Sequence, residues 1–499
     1  MPGSSSRFWV LVFALAIVVA GCASVVTVGR KVFSKPKPVP VSVLVLDTAG
    51  SRIFRADITI AGESVVNGEE FGVLPNDFPV AVTVSAEGYR PASLSVPEPP
   101  EAPVQVRLAP VVLEGRITTE SGDVLSDATV RLGDLGVTTG ADGAFELQPA
   151  VPGTVTVERP AWMPAEVEWD GTEAPLEITL EPRVVRATHA VMWLPGRDLW
   201  EPFLDLASRT EINAVVLDIK DESGSIAHRS EVPLALDVGA VIGSYALDDA
   251  VGAIHERGLY AIGRVVSFED PIVAKERTDL AIRRGSKPYR QGGQAFLDPT
   301  DPEARRYNID IAVEACKAGI DEIQFDYVRF PTGMTAKMSL DGDGVYVGSK
   351  GQAARLAAIG GFLAEAREAL HPLGCAVSAD VFAIVLSTQN DQGIGQRPEE
   401  IGAEVDALSP MIYPDHYSDG WIGYDKPADH PFEVVDKALA DGTPRIGPTT
   451  IMRPWIADFN YGAKSVRAEI DAVEGYGLGW MLWNAGSRHT EGALLPAEK

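Results

Sequence analysis

Residues 321–331 read DEIQFDYVRFP, and this stretch decides the fold. Its short segment Glu322–Phe325 predicts a strand, and Asp326 stands directly at the end of that segment. A predicted helix, Pro302–Ala318, precedes the segment, and another, Gln352–Leu370, follows it. Short strands that alternate with helices are typical of βα units around a parallel sheet. This part of the chain is therefore predicted to be an α/β domain.

The same alternation extends through the C-terminal part, residues 183–499. Seven further strands are predicted, at Ala190–Leu194, Ala214–Asp218, Tyr260–Val266, Ala376–Asp380, Ala407–Met411, Arg445–Gly447 and Gly479–Trp483. Eight strand–helix pairs in about 310 residues predict a (β/α)8 TIM barrel with loop insertions. An open doubly wound sheet is the alternative. It would need a glycine-rich phosphate loop after its first strand, and Leu194–Arg197 is not one.

Ahead of the barrel, the sequence repeats itself with a period of about 72 residues. Residues 102–110 read APVQVRLAP, and residues 174–182 read APLEITLEP. Runs that alternate apolar and polar residues predict half-buried strands in both copies. We therefore expect two small all-β sandwich domains, over residues 41–110 and 111–182.

The second copy also contains a turn motif and segments that resemble a known family of β-sandwich domains. Asp142-Gly143 predicts a hairpin turn, because glycine readily adopts the positive φ that such a turn needs. The copy resembles the carboxypeptidase regulatory-like family in Gly115–Ile117, Gly122–Val130, Ala141–Phe145 and Pro152–Val157. Two aromatic residues, Tyr89 in the first copy and Trp162 in the second, either bind carbohydrate or fill the sandwich cores.

The N-terminus predicts export. An uncharged stretch runs from Phe8 to Gly29, and within it Val19–Cys22 reads VAGC. Small residues before a cysteine resemble the bacterial lipobox, which implies a lipoprotein signal peptide over residues 1–22 with lipidation at Cys22. An uncleaved anchor helix is the alternative, because the uncharged stretch is just long enough to span a bilayer. Either reading, with a Pro/Lys linker over residues 23–40, predicts a cell-envelope protein facing the periplasm or exterior.

Composition limits the partners. The chain has 499 residues and a net charge of −27, which disfavours nucleic acid as a partner. Neutral or cationic partners are easier to accept, and sugars are one such class. The three cysteines exclude a disulfide scaffold and a cysteine-rich metal site. The seven histidines show no two-ligand spacing, so neither a metal nor another cofactor is predicted.

Polar residues follow the predicted strands at their carboxyl ends, where barrels of this kind have their active sites. Any single one could cap a helix or form an ion pair, but acidic residues from five strand ends are harder to explain in that way. The candidates are Asp218, Lys220, Glu269, Asp326, Tyr327, Arg329, Asp380, Tyr413, Asp415, His416, Arg453, Trp455, Trp483 and Asn484. Carboxylates beside aromatic rings suit glycoside hydrolysis, which needs one carboxylic acid and one carboxylate.

Several motifs resemble one bacterial family. They are Asp298-Pro299, Asp321–Pro331, Met411–Tyr417 (MIYPDHY), Met452–Phe459 (MRPWIADF) and Gly479–Asn484 (GWMLWN). Over roughly Thr188–Arg488 the chain resembles a bacterial glycoside hydrolase-like family with the FDYVRFP signature, whose members are predicted TIM barrels that often carry signal peptides. The resemblance implies a glycosidase acting on a polysaccharide or oligosaccharide. A non-catalytic carbohydrate-binding or envelope-scaffold lipoprotein is the alternative function.

The resemblance also suggests roles. Asp326, at the end of strand four, is expected to be the nucleophile or the stabilising carboxylate, with Asp380 or Asp415 as general acid/base. Asp380 is preferred, because an apolar setting raises the pKa of a carboxyl group. Arg329 either pairs with Asp326 or bridges to another carboxylate of the barrel. The remaining candidates are expected to contact the sugar, although Asp218 and Lys220 could instead form an ion pair in the barrel mouth.

Overall fold

The computed structural model describes residues 35–335 and 346–497. Contacts divide the chain into two compact units, residues 1–109 and residues 110–499. The predicted signal or anchor segment, with Cys22, lies outside the described residues. Within the described ranges, no helix combines the length and the apolar character that a bilayer crossing requires.

The first unit is a sandwich of two small sheets. A three-stranded sheet has the order β4-β1-β7, and a four-stranded sheet has the order β3-β2-β5-β6. Val80, Val82 and Val84 are buried while the residues between them are exposed, as the alternating sequence predicts. The strands are β1 Val39–Asp47, β2 Asp57–Ile60, β3 Glu63–Val65, β4 Glu70–Val73, β5 Val80–Ser85, β6 Ala92–Val96 and β7 Val104–Leu108.

The second unit begins with another sandwich of the same design. Its sheets have the orders β11-β8-β14 and β10-β9-β12-β13, which repeat the strand order of the first unit. The internal repeat of the sequence therefore corresponds to a repeat of topology. The strands are β8 Leu113–Thr118, β9 Thr129–Leu132, β10 Leu135–Thr138, β11 Ala144–Leu147, β12 Gly153–Glu158, β13 Ala165–Trp169 and β14 Leu176–Thr179.

The predicted hairpin at Asp142-Gly143 is wrong. The turn exists, with Gly143 at φ +67°, and a side chain there would come within 2.7 Å of the Ile117 carbonyl oxygen. However, the strands before and after it, β10 and β11, belong to different sheets. The turn therefore carries the chain across the sandwich. Trp162 is buried in the core of this sandwich, and Tyr89 packs partly buried against the core of the first.

A closed barrel follows the second sandwich. Eight parallel strand positions form a closed ring, because the first strand, β15, pairs with both β16 and the last strand, β29. The eight positions are β15, β16, β19, β24, β25, β26, β27 with β28, and β29. The (β/α)8 prediction is confirmed. The strands are β15 Arg186–Ala190, β16 Ala214–Lys220, β17 Ile226–His228, β18 Val241–Tyr245, β19 Tyr260–Val266, β20 Arg283–Arg284, β21 Lys287–Pro288, β22 Arg290–Gln291, β23 Gln294–Ala295, β24 Glu322–Asp326, β25 Ala376–Phe382, β26 Ala407–Ile412, β27 Ile451–Met452, β28 Trp455–Ala457 and β29 Trp480–Trp483.

Helices cover the outside of the barrel and bury the outward-facing apolar side chains of its strands. Leu363, on the longest helix, is one of the fully buried side chains of this layer. The α-helices are α1 Trp200–Arg209, α2 Pro233–Asp237, α3 Leu247–His255, α4 Pro271–Glu276, α5 Pro302–Lys317, α6 Gln352–Leu370, α7 Pro398–Gly402, α8 Pro431–Gly442 and α9 Ala463–Glu474.

Two predicted strands are wrong. The first strand of the barrel ends at Ala190, where we expected it to begin, and Leu194–Gly196 forms a turn of 3-10 helix instead. The seventh does not lie at Arg445–Gly447. The Arg445 guanidinium donates to Glu399 and to backbone carbonyls, and it anchors a loop rather than a strand. The real seventh position consists of the two short pieces β27 and β28.

A disulfide joins Cys316, near the end of α5, to Cys375, which directly precedes β25. The sequence correctly indicated that Cys316 is buried, but not that it is bonded. The bond closes a segment of 59 residues at the amino end of the barrel. It therefore ties a helix of the outer layer to the base of the fifth strand.

Candidate active site

A cavity of about 650 Å³ opens at the carboxyl ends of the barrel strands. Its titratable polar lining residues other than tyrosine are Glu222, Arg264, Asp326, Arg329 and His416. Aromatic rings form much of the wall, from Tyr327, Phe382, Tyr413, Tyr417, Trp421, Trp455 and Trp483. The cavity has the size and the mixture of rings and polar groups that are typical of small-ligand sites.

Arg264, a buried residue of β19, is the centre of the charge network. Its Nε and Nη2 donate to Asp326 Oδ2 at 3.0 and 2.5 Å, and its Nη1 donates to Asp218 Oδ1 at 2.8 Å. Nη2 also donates to Glu222 Oε1 at 2.5 Å. One guanidinium thus holds three carboxyl groups.

His189 extends the network behind Asp218. Its Nε2 lies 2.9 Å from Asp218 Oδ2, and its Nδ1 lies 2.9 Å from the Asn484 carbonyl oxygen. The ring of His189 is thus held between two oxygen atoms that can accept hydrogen bonds. Burial by itself would raise the pKa of Asp218, but His189 and Arg264 outweigh it and lower that pKa. The Trp483 ring stacks on His189 with centroids 4.1 Å apart.

Asp326 is held in a strained turn at the end of β24. The next residue, Tyr327, has φ +48°, in the left-handed region that side-chain-bearing residues rarely adopt. Its backbone N–H donates to Asp326 Oδ1 at 2.6 Å. The Ser267 N–H binds the Asp326 carbonyl at 2.7 Å. Backbone strain of this kind concentrates at functional sites, and here it fixes the direction of the Asp326 carboxylate.

Asp380, on the neighbouring strand β25, has a different environment. It is buried, and its Oδ1 accepts from Trp455 Nε1 at 2.8 Å, while its Oδ2 has no hydrogen-bond partner. Burial, and then the negative charge of Asp326, raise its pKa well above the usual value. Two neighbouring strands therefore end in one carboxylate bound by a guanidinium and one carboxyl group that favours its proton. Such a difference is how acid and base roles are assigned in carboxylate pairs.

Arg329 does not make either of the ion pairs expected for it. Arg264 occupies the position beside Asp326, and Arg329 Nη1 donates to the Phe330 carbonyl at 3.1 Å. Arg329 still lines the cavity. The carboxylate that the signature motif supplies is thus bound by an arginine from another strand.

Lys220 lies outside the cavity. Its Nζ donates to Asp270 Oδ2 and to Asn308 Oδ1, both at 2.9 Å, and Asn308 belongs to the outer helix α5. A break in strand register between Asp218 and Lys220 accompanies this outward orientation. The expectation that Lys220 contacts a sugar, or pairs with Asp218, is therefore not met.

Glu269 is buried beside the cavity and does not line it. Burial raises its pKa to about 7, although the charge of Arg329 acts in the opposite direction. Its Oε2 has no hydrogen-bond partner among the described residues. Glu269 is thus a second protonatable carboxyl group at this end of the barrel.

Arg453 lies at the wrong end of the barrel for a sugar ligand. Its Nη1 donates to Glu322 Oε1 at 2.6 Å, and Glu322 is the first residue of β24, at the amino end. Arg453 lies in the gap between the two short pieces of the seventh strand position, β27 and β28, and the sequence placed it after a strand that is not there. Asn484 instead organises a loop, since its Nδ2 donates to the Asp458 carbonyl at 2.6 Å.

Three candidates follow the sixth strand, β26. Tyr413 and His416 line the cavity, and their rings meet edge to face with centroids 5.2 Å apart. Asp415 does not line it, and its Oδ2 accepts from Asn460 Nδ2 at 3.2 Å. Asp380 does not line the cavity either, but it stands on the strand that pairs with the strand of Asp326, whose charge acts on it. Of the two residues expected as general acid/base, Asp380 is the one next to Asp326.

Sequence reasoning missed Arg264, His189 and Glu222. A signal existed for Arg264, which is the one charged residue within the apolar strand Tyr260–Val266. A buried charge is expensive unless it is paired, so this position already implied a carboxylate partner. Glu222 lies in the loop after β16 and gave no comparable signal. Across residues 35–335 and 346–497, no cluster of histidine, cysteine and acidic residues could hold a metal ion.

Comparisons with solved structures give several similar folds. The glycoside hydrolase domain of PgaB (BpsB) from Bordetella bronchiseptica is 14% identical, covering 61% of this chain and 95% of its own, with a TM-score of 0.44. That of PelA from Pseudomonas aeruginosa is 13% identical, covering 64% and 98%, with a TM-score of 0.35. A hypothetical protein from Ruminiclostridium thermocellum is 36% identical, covering 39% and 97%, with a TM-score of 0.34. At these scores the likenesses say nothing about what this chain binds.

No curated protein matches the sequence significantly. One family model does match it, over residues 189–489, which is more than half of the chain and spans the barrel with its cavity. The family is described as "Putative glycosyl hydrolase domain". The chain belongs to this family of glycoside hydrolase-like barrels.

Proposed function

We propose that the protein is a cell-envelope glycoside hydrolase that cleaves O-glycosidic bonds of a polysaccharide with Asp326 and Asp380. The observation that carries this proposal is the contrast between the two carboxyl groups. Asp326 is bound by Arg264, whereas Asp380 is buried, has one oxygen without a partner and has a raised pKa. Glycoside hydrolysis requires such a pair, with one group ionised and the other protonated.

The roles follow from these states. Asp326 lines the cavity and acts as the nucleophile, or as the carboxylate that stabilises positive charge on the sugar ring. Asp380 donates its proton to the oxygen of the departing sugar and takes a proton back from the water that completes hydrolysis. Trp455 holds Asp380 Oδ1 and also lines the cavity, so it links the acid to the sugar-binding wall.

The aromatic wall supports a carbohydrate ligand. Sugar rings have apolar faces that pack against flat aromatic side chains, and their hydroxyl groups need polar partners at the edges. The cavity offers both, through Trp483 and Tyr413 on the one hand and Glu222 on the other. A non-catalytic carbohydrate-binding or scaffold protein would need the wall but would have no use for the raised pKa of Asp380.

The envelope location rests on the N-terminal pattern and on the disulfide. Disulfides persist in oxidising compartments, which include the periplasm and the cell surface. The Cys316–Cys375 bond therefore supports export of the barrel. Labelling cells with a fatty-acid probe tests the lipid anchor, because a Cys22→Ser variant should lose the label. Free thiols at Cys316 and Cys375 in freshly alkylated cells would count against export.

The catalytic proposal is tested by release of reducing ends. The full chain, purified in a detergent without a glycosidic bond, is incubated with a panel of polysaccharides beside an Asp326→Asn variant. Release by the wild type and none by the variant is the expected result. Tight binding to one polysaccharide without any release would instead support the non-catalytic alternative, and release by the variant would remove Asp326 from the mechanism.

A further inference from the structure

Arg329 is a buried cation that forms no ion pair with a carboxylate of the described residues. Its exposed fraction is 7%, and no carboxylate oxygen in residues 35–335 or 346–497 lies within 4.0 Å of its guanidinium nitrogens. Buried arginines are nearly always paired, because removing an unpaired charge from water is costly. Its one hydrogen bond among the described residues goes to the Phe330 carbonyl. Among the described residues, Arg329 therefore forms no direct ion pair.

Three aromatic rings hold the guanidinium in place. Its central carbon lies 4.9 Å from the ring centroids of Tyr327 and Phe382, and 5.3 Å from that of Phe296. Cation–π contacts of this kind stabilise the charge and restrict its movement. They do not use up its N–H donors, and Arg329 lines the cavity. The rings thus prepare a rigid donor group at the cavity wall.

The acidic groups that act on Arg329 are not permanent counter-ions. Asp326 is already bound by two nitrogens of Arg264. Glu269, with a pKa of about 7, is about half protonated at neutral pH. Burial lowers the pKa of Arg329 although Tyr327, Asp326 and Glu269 all act to raise it. The nearby carboxyl groups therefore do not offset the cost of burying this cation.

We propose that Arg329 is a specificity-determining residue that binds an anionic substituent of the substrate sugar. A carboxylate, phosphate or sulfate group matches the planar donor edge of a guanidinium, which binds such oxyanions through paired hydrogen bonds. The inference rests on the proposed function and refines it, since it assigns the polysaccharide to the acidic class. The net charge of −27 adds no long-range attraction for such a polymer. A chain this acidic repels such a polymer at long range, so any preference has to come from a short-range contact such as that of Arg329.

The test compares four sugars that differ only at C6: glucuronate, glucose 6-phosphate, glucose 6-sulfate and glucose. Their dissociation constants for the full chain are measured by ligand-observed NMR at 0.15 M salt. At least one of the three anionic sugars should bind about tenfold more tightly than glucose, as a charge-assisted hydrogen-bond pair allows. The sugar that binds most tightly identifies the anionic group that Arg329 prefers.

Variants show whether Arg329 is the cause. Arg329→Gln should reduce the ratio of anionic to neutral affinity to about one, and Arg329→Lys should keep part of it, because the charge remains but the planar fork is lost. Arg197→Gln is the matched control, since Arg197 is an exposed arginine over a ring, Trp193, outside the cavity. It should leave the ratio unchanged. Thermal unfolding of each variant confirms that it is folded.

The possible results distinguish a failure of the inference about Arg329 from a failure of the proposed function. Equal affinity of the wild type for all four sugars would overturn the inference and leave the proposed function standing. A preference that survives Arg329→Gln would assign the anion to another group, which also overturns it. If no sugar binds and no polysaccharide is cleaved, the proposed function fails as well. If Arg329→Gln does not fold, the wild-type ratio and the Arg329→Lys ratio still decide.

Discussion

The two ends of the barrel both contain a buried arginine that binds carboxylates, yet they differ in what surrounds it. At the amino end, Arg453 meets one carboxylate, Glu322, which also accepts from the Tyr260 hydroxyl at 3.3 Å. At the carboxyl end, Arg264 meets three carboxyl groups, and Asp380 stands next to them with an oxygen that has no partner. The first arrangement pairs one cation with one anion, and the second gathers four carboxyl groups around one guanidinium beside an open cavity.

This difference shows that a buried ion pair alone does not identify an active site. Pairing one cation with one anion is what any protein needs in order to bury either charge. A cluster of carboxylates costs stability, because like charges repel and one group must keep its proton. Proteins retain such a destabilising arrangement of charges where function requires it. The carboxyl end of this barrel meets that description, and the amino end does not.

Replacing each arginine in turn tests whether the two ends of the barrel differ in function. Arg264→Met and Arg453→Met should each lower the free energy of unfolding by about 3–5 kcal/mol, because each leaves a buried carboxylate without its cation. Only Arg264→Met should also reduce turnover per folded molecule, by about a hundredfold or more, since Asp326 loses its fixed partner. Urea unfolding and reducing-end release measure the two effects. Equal losses of turnover in both variants would mean that the ends do not differ in function.

Lys220 offers a similar test within the carboxyl half of the barrel. Lys220→Met should lower the free energy of unfolding by about 3 kcal/mol, because it leaves the buried Asp270 without its cation. Turnover of the folded fraction should not change, since Lys220 faces α5 rather than the cavity. A double variant, Lys220→Met with Asp270→Leu, should recover much of the lost stability. A change in the Michaelis constant of the single variant would place Lys220 in the site after all.

Asp380→Asn should stabilise the protein while it inactivates it. Because the pKa of Asp380 is raised, the folded state keeps a proton that the unfolded chain releases above about pH 4. Stability is therefore lost as pH rises from about 4 toward that raised pKa, and the amide removes this loss. We expect a gain at pH 7 that shrinks toward zero at pH 4. Thermal unfolding at both pH values measures it, and no gain at pH 7 would mean that Asp380 is ionised.

The smallest expected effect concerns the ring that binds Asp380. Trp455→Phe removes the Nε1 donor to Asp380 Oδ1, and this bond favours the ionised form. The pKa of Asp380 should rise further, so the alkaline limb of the kcat/KM profile should move to higher pH by at most about one unit. Trp483→Phe, which makes no hydrogen bond to Asp380 among the described residues, is the control and should leave the limb in place.

The sequence predicted strands where apolar runs were continuous and failed where they were broken. Tyr260–Val266 has the predicted limits, because seven residues suffice to show a buried strand. The seventh position was missed because Ile451–Met452 and Trp455–Ala457 are too short for a period to show. The positions of Asp326 and Asp380 could be predicted, because each stands at the end of a predicted strand.

What could not be predicted depends on contacts between distant segments. The pairing of Arg264 with Asp326 joins two strands that lie 62 residues apart, and no local pattern specifies it. The outward turn of Lys220 depends on one register break after Asp218, and a slip of one residue changes the face that a side chain occupies. Arg329 was assigned to a carboxylate because arginines usually have one. Its aromatic surroundings come from three separate segments.

The most direct test of the carboxyl-end site is a crystal structure of the Asp326→Asn variant with an oligosaccharide that the wild type cleaves. We expect the sugar to lie in the cavity against Trp455 and Trp483, with its anomeric carbon about 3–3.5 Å from the side chain at position 326 and its glycosidic oxygen toward Asp380. A sugar bound elsewhere, for example in the cleft beside Trp162 and Arg367, with the carboxyl-end cavity empty, would contradict it.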